Sequence, residues 1–311
     1  MQNGLSNNKV NCIIRDQRGF MWFGTDDGLN RYDGHNFVVF QHKPGDSSTI
    51  SGNVINDIVE DKEGVLWIAT ADGGLSRYDY RQSRAHQFKQ YRHSPGDSNS
   101  IPVNMLNKLQ LDQQGFLWIA TSGVALLRFD RKQERFTEPV KHGTMTMLDI
   151  ELDKTGMLWA GRVGGGMLKM NPRTLRYETE PVYDDLYAKL PHMAITSLFA
   201  DDEKVWFGSW DKVLYCRSIV TGKETVFKQS ADPYSFKNDE ISCFTADERG
   251  RLWMGGRYGG LHVYDKVTDR FYNYRYDPAR EGTISDNRIN ALYTDKNGVV
   301  RIGERDEVDV T

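Results

Sequence analysis

Six tryptophans, Trp22, Trp67, Trp118, Trp159, Trp206 and Trp253, follow one another at intervals of 45, 51, 41, 47 and 47 residues. Each sits in a short apolar stretch such as "MWFGT" at Met21, "LWIAT" at Leu66 and Leu117, or "VWFGS" at Val205. Arg301 takes the same slot 48 residues after Trp253. Six residues before the slot an aspartate opens a turn: "DQRG" at Asp16, "DKEG" at Asp61, "DQQG" at Asp112, "DKTG" at Asp153, "DERG" at Asp247 and "DKNG" at Asp295. Only the fifth unit departs, reading "DDEK" from Asp201. Asp at the start and Gly at the end of a four-residue connection are hairpin chemistry, because glycine accepts a positive φ where the next strand begins.

An apolar stretch such as "VNCII" precedes each turn, and a third follows the tryptophan strand, as in "GLNRYD" at Gly28, "GLSRYD" at Gly74 and "GLHVYD" at Gly260. A fourth carries aromatics: Phe37 and Phe40, Phe88 and Tyr91, Phe136, Phe227, and Phe271 and Tyr274. Four strands per unit of this length is the period of a propeller blade. The fold expected is all-β, a seven-bladed β-propeller of four-stranded antiparallel blades whose last blade is incomplete, because the chain ends after "VDV", its third strand. One propeller then covers residues 1–311, with blades at about 8–48, 53–99, 104–140, 145–187, 193–234, 239–282 and 287–311. The repeated tryptophans read as core: a bulky ring on a middle strand, with small residues (Ala69, Gly161, Gly208) admitting the next sheet. The missing outer strand points to a piece of something longer.

Composition narrows the function. The 39% hydrophobic content holds no run of membrane-spanning length, and a net charge of −3 without blocks of like charge gives no reason to expect nucleic acid. Three cysteines, Cys12, Cys216 and Cys243, form neither a disulfide framework nor a zinc pattern. No metal or cofactor is expected.

The phrase "GLSNNKVNCIIRDQRGFMWFGTDDGLNRYDG" from Gly4 to Gly34 closely resembles the two-component regulator propeller repeat, the sensor region of bacterial hybrid histidine kinases and some diguanylate cyclases. The resemblance runs along the chain, strongest in units one, two, three and six. It implies a periplasmic, ligand-sensing domain of an inner-membrane receptor, often recognising oligosaccharides, with a membrane span, a cytoplasmic output domain and homodimeric signalling in the remainder of the receptor chain.

Function is sought where the loops break the repeat. Between strands two and three, units four to six read "GRVGGG" at Gly161, "SWDKV" at Ser209 and "GRYGG" at Gly256. They bring Arg162, Trp210, Asp211, Arg257 and Tyr258 to one face, and these are the candidate ligand-binding residues. Trp210 is the one tryptophan outside the repeated slot. A ring beside arginine forks suits a stacked sugar with a carboxylate or sulfate. The alternative is that Trp210 covers the adjacent blade and both arginines pair with acidic neighbours.

Asn7, Asn53, Asn104, Asp239 and Asn287 recur before each first strand and read as loop-closing hydrogen-bond acceptors. Cys12, Asp57, Lys108, Asp149, Cys243 and Ala291 form a mixed ring on the innermost strands, in which Asp57 and Lys108 are placed to pair. The insertion "EPVYDDLYAKLPH", with Tyr183 and Tyr187, either folds over the loop face or pads the rim. No catalytic residue is assigned: the seven histidines lack HExxH spacing, no GxSxG elbow occurs, and Asp26, Asp27 and Asp72 lie in repeated turns. A ligand-free interaction scaffold, and less so a propeller lyase or hydrolase, stand as alternatives to sensing.

Overall fold

The protein is seen in a computed structural model that describes residues 4–124, 126–137, 145–164, 166–177, 194–304 and 308–310. It forms two compact units, Met1–Ile150 and Glu151–Thr311. The first holds three antiparallel four-stranded sheets with inner strands Val10–Arg15, Ile55–Glu60 and Leu106–Leu111. A fourth inner strand, Met147–Leu152, leads into the second unit, where Leu158–Arg162, Met167–Asn171 and Arg176–Tyr177 follow it in sheet order. Two further four-stranded sheets start at Ile195–Ala200 and Ile241–Ala246. The last sheet, Ile289–Thr294, Val300–Glu304 and Val308–Val310, has three strands. This is an all-β propeller architecture with six complete blades of sequential hairpins, so the expected count of seven rests on counting the three-stranded sheet. The "VDV" segment is its third strand, as expected.

The tryptophan slot explains itself at atomic scale. Each indole Nε1 donates to the carboxylate of its turn aspartate, from 2.8 Å (Trp159 to Asp153) to 3.0 Å (Trp22 to Asp16, Trp253 to Asp247). The other carboxylate oxygen accepts backbone N–H groups of the turn, for example from Phe20, Val65 and Phe116. One carboxylate thus shapes the hairpin and satisfies a donor that burial would orphan. The fifth blade keeps the pair although its turn is one residue shorter: Trp206 donates to Asp201 at 2.8 Å. In the last sheet Arg301 replaces the indole and donates to Asp295 at 3.0 Å.

Successive sheets pack face to face within each unit. Trp22 meets Tyr78 of the next blade at 5.3 Å, Trp67 meets Phe129 at 5.4 Å, and Trp206 meets Tyr264 at 5.3 Å. Aromatics of each blade's own outer strand (Phe40, Tyr91, Phe227) close these clusters. In four blades a glycine two residues after the tryptophan admits the neighbour, and in the second and third blades alanine (Ala69, Ala120) stands there. A Cβ on Gly24 would stand 2.6 Å from Ile55, on Gly161 2.8 Å from Ile195, and on Gly255 2.7 Å from Ile289, each isoleucine opening the next inner strand.

The inner strands carry a second device. Pairing shifts register around their second residue, a β-bulge. The bulged residue points its polar side chain at the next blade: Asn11 donates to Ile55 O (3.0 Å), Asn56 to Leu106 O (2.7 Å), Asn107 to Met147 O (2.6 Å), Thr196 to Ile241 O (2.7 Å) and Ser242 to Ile289 O (2.5 Å). A bulge re-aims one side chain without ending the ladder. In the fourth blade the position is Leu148, which has no donor.

Candidate functional site

All five candidate residues lie in the second unit. Arg162 ends a strand rather than standing on a loop, and only 9% of it is exposed. It is therefore not displayed on the loop face as the sequence suggested. Its charge lies close enough to Tyr177 to oppose the effect of burial, which pushes that phenol above its usual range.

Trp210 opens the turn after the strand Lys204–Ser209, its N–H bonded to Ala194 O at 3.2 Å, and is 48% exposed. A large indole displayed to water is the reverse of the six tryptophans in the repeated slot. Asp211 beside it is exposed. Its carboxylate lies near Tyr215, whose phenol is pushed up to about 12, chiefly by burial and then by Asp211 and Glu224.

The loop after Leu252–Gly256 displays Tyr258 at 52% exposure. Arg257, by contrast, is engaged: its guanidinium donates to Glu240 at 2.7 Å and its backbone N–H to Glu240 O at 2.9 Å. For this arginine the structure realises the acidic pairing weighed against a ligand role. Lys212, which the sequence did not single out, sets its Nζ 5.3 Å from the Tyr258 ring centroid and so joins the loops of blades five and six.

The loop that carries Arg257 and Tyr258 is wrapped around a buried carboxylate. Asp239 accepts from Tyr258 N (3.2 Å), Gly259 N (2.7 Å) and His262 Nε2 (3.1 Å). A Cβ on Gly256 or Gly259 would fall 1.8 or 2.5 Å from that carboxylate, which is why glycine flanks the displayed pair. This corrects Asp239 as a member of the recurrent loop-closing set. Asn53, Asn104 and Asn287 accept from His42, His93 and Tyr276 at 2.7, 2.7 and 2.9 Å, and the counterpart acceptor is Asn238, which takes Gln229 N at 2.8 Å. Asn238 stands three residues before its inner strand where Asn53, Asn104 and Asn287 stand two before theirs, and the residue so added is Asp239, free for its clamp.

Elsewhere, Lys108 and Asp57 pair at 3.2 Å as anticipated, and Asp57 also accepts Leu109 N at 2.9 Å. Burial, and next the Asp57 carboxylate, push the Cys12 thiol above its usual range, so it is a packed, unreactive group. Among the described residues no group of three or more His, Cys, Asp or Glu is arranged to hold a metal ion. Asp26, one of the three turn carboxylates set aside as catalytic candidates, is held by Lys9 at 2.9 Å and Asn11 at 2.8 Å. The insertion with Tyr183 and Tyr187 lies outside the described residues.

Sheet order, register and the inter-blade contacts define a β-propeller. Its first two blades carry the two component regulator propeller repeat: that family model matches residues 4–27 and 49–72, the first within the phrase from Gly4 to Gly34. A 48-residue stretch, 15% of this chain, is 48% identical to histidine kinase P4 of Formosa agariphila and covers 4% of that protein. Among solved structures, the extracellular domain of the putative hybrid two component system BT3049 from B. thetaiotaomicron superposes with a TM-score of 0.80 at 23% identity, over 99% of this chain and 40% of that one. The corresponding domain of BT4673 gives 0.78 at 20%, over 99% and 38%. The chain therefore spans well under half of these relatives. A streptogramin B lyase shares the fold at a TM-score of 0.72 and 13% identity, over 99% of this chain and 96% of that one. Among the described residues no helix is long and apolar enough to cross a membrane.

Proposed function

We propose that this chain is the extracytoplasmic, periplasmic ligand-sensing domain of a bacterial inner-membrane receptor. It binds an oligosaccharide or related small ligand on the loop face of its second unit and passes the signal to a cytoplasmic kinase or cyclase domain. The reading counts the three-stranded sheet as a seventh blade of one propeller over residues 1–311. The observation that carries it is the pair of exposed rings, Trp210 and Tyr258, on two of the three loops that depart from the repeat. Flat rings beside cationic groups suit sugar rings, while the repeated turns are used up in architecture. Signalling then follows as a population shift between mutual arrangements of protomers in the whole receptor.

A thermal-shift screen of the chain against neutral and acidic oligosaccharides tests this. One glycan is expected to raise the melting temperature without being consumed, and Trp210→Ala is expected to abolish the shift while leaving the unliganded melting point in place. Turnover of the glycan would favour the hydrolase or lyase alternative. A stabilising glycan whose effect survives Trp210→Ala would move the site elsewhere, and no response to any glycan would favour the scaffold.

A further inference from the structure

Among the described residues four other than glycine have left-handed backbones: Glu134, Leu175, Asp269 and Lys212, with φ of 50°, 59°, 54° and 59°. The first three occupy one architectural slot, each immediately preceding a short outer strand (Arg135–Thr137, Arg176–Tyr177, Arg270–Tyr274). Lys212 stands apart, in the connection between strands two and three. In other blades the positive φ near this hairpin falls on glycine at neighbouring register positions, Gly28, Gly74, Gly166 and Gly260 one place later and Gly123 and Gly164 one place earlier, whereas here it falls on the lysine itself. A side chain is disfavoured there relative to glycine, so this lysine is kept against local preference.

What it does is visible across the loop face. Its ammonium stands beside the exposed ring of Tyr258. The exposed Arg275 reaches the same residue through a long 3.4 Å bond from its guanidinium to Tyr258 O. Neither Lys212 nor Arg275 takes part in an ion pair among the described residues, whereas Arg257 is bound to Glu240. The Asp211 carboxylate lies near Tyr215.

We propose that Lys212 and Arg275, flanking Tyr258, are the anion-recognising half of the candidate site, and that its ligand is a sugar bearing a carboxylate or sulfate. The inference rests on the ligand-sensing reading above and deepens it. The ring supplies a stacking platform, and two cations that take part in no ion pair among the described residues supply the charge complement that neutral sugars do not need.

Isothermal titration of the 311-residue chain with digalacturonate, its uncharged counterpart galactobiose, and a sulfated galactobiose tests it. At least one acidic sugar is expected to bind about tenfold or more tightly than galactobiose, with the gap narrowing between about 50 and about 500 mM salt. Lys212→Met and Arg275→Met are each expected to weaken acidic binding about fivefold or more while leaving galactobiose alone. Lys212→Gly separates binding from folding: it is expected to lose the acidic preference with a melting temperature no lower than the parent's, since glycine suits the backbone. Equal binding of acidic and neutral sugars, or a preference that survives both methionine variants, overturns the proposal while the sensing reading stands. Failure of all three sugars also overturns it, and the wider Trp210→Ala screen then decides the sensing reading separately.

Discussion

The turn aspartate does two jobs with two oxygens, and its loss exposes both. Asp112→Ala strands the N–H of the fully buried Trp118 and removes the acceptor for Phe116 N. A buried unsatisfied donor costs about 1–3 kcal/mol, so the variant is expected to lose about 2–3 kcal/mol in urea unfolding. Asp295→Ala is expected to lose less, because its partner Arg301 keeps nearly a quarter of its side chain in water and can rehydrate. Equal losses would show that turn geometry, not the indole bond, carries the stability. The spacing of Asp to Trp was plain in the sequence. Its reason was not, since a six-residue separation names no contact until the hairpin between them is closed.

Between elements, two small features set how blades meet: a glycine that lets an isoleucine in, and a bulged polar residue that reaches out. Gly255→Ala would place its Cβ against both Cys243 Sγ (2.5 Å) and Ile289 (2.7 Å). Overpacking of this kind costs about 1–3 kcal/mol, and pairing it with Ile289→Val is expected to recover part of the loss, measured as a double-mutant cycle. Asn56→Ala leaves Leu106 O without its 2.7 Å donor and is expected to cost about 1 kcal/mol by the same unfolding assay. The blades were legible because period and hairpin chemistry are local. The polar reach was not: Asn, Thr and Ser alternate at that position, and only the register shift of the inner strand aligns their shared role. Asp239 was misassigned for a related reason, since the step from the acceptor to the inner strand is one residue longer there and Asn238, not Asp239, fills the slot.

Taken as a whole, the molecule relies on carboxylates held ionised. Burial would raise Asp79, but bonds from Arg81 and Gln82 outweigh it and hold the group at about 2. Asp201, Asp247 and Asp295 also lie below the ordinary carboxylate value despite burial, because Lys266 and turn N–H groups, the Trp253 indole and Arg251, and turn N–H groups and Arg301 respectively stabilise the charge. A depressed folded pKa stabilises above the unfolded value and is lost as pH falls through the folded one. The urea midpoint is therefore expected to be flat from neutral pH to about 5 and to fall between about 4 and 2. Glu60, raised chiefly by burial, contributes with the opposite sign. An unchanged midpoint at about pH 3 would contradict this account. At this scale the loop face was legible only in part. Departure from the repeat pointed to Trp210 and Tyr258, while whether an arginine is spent depends on a neighbour such as Glu240 that lies far along the chain. The burial of the repeated tryptophans has an optical consequence. Five of the six are buried and all are hydrogen-bonded, so Trp210 is the indole most open to a collisional quencher such as acrylamide. The protein carries its own emission probe at the rim, and any molecule that settles there announces itself by shielding a single fluorophore.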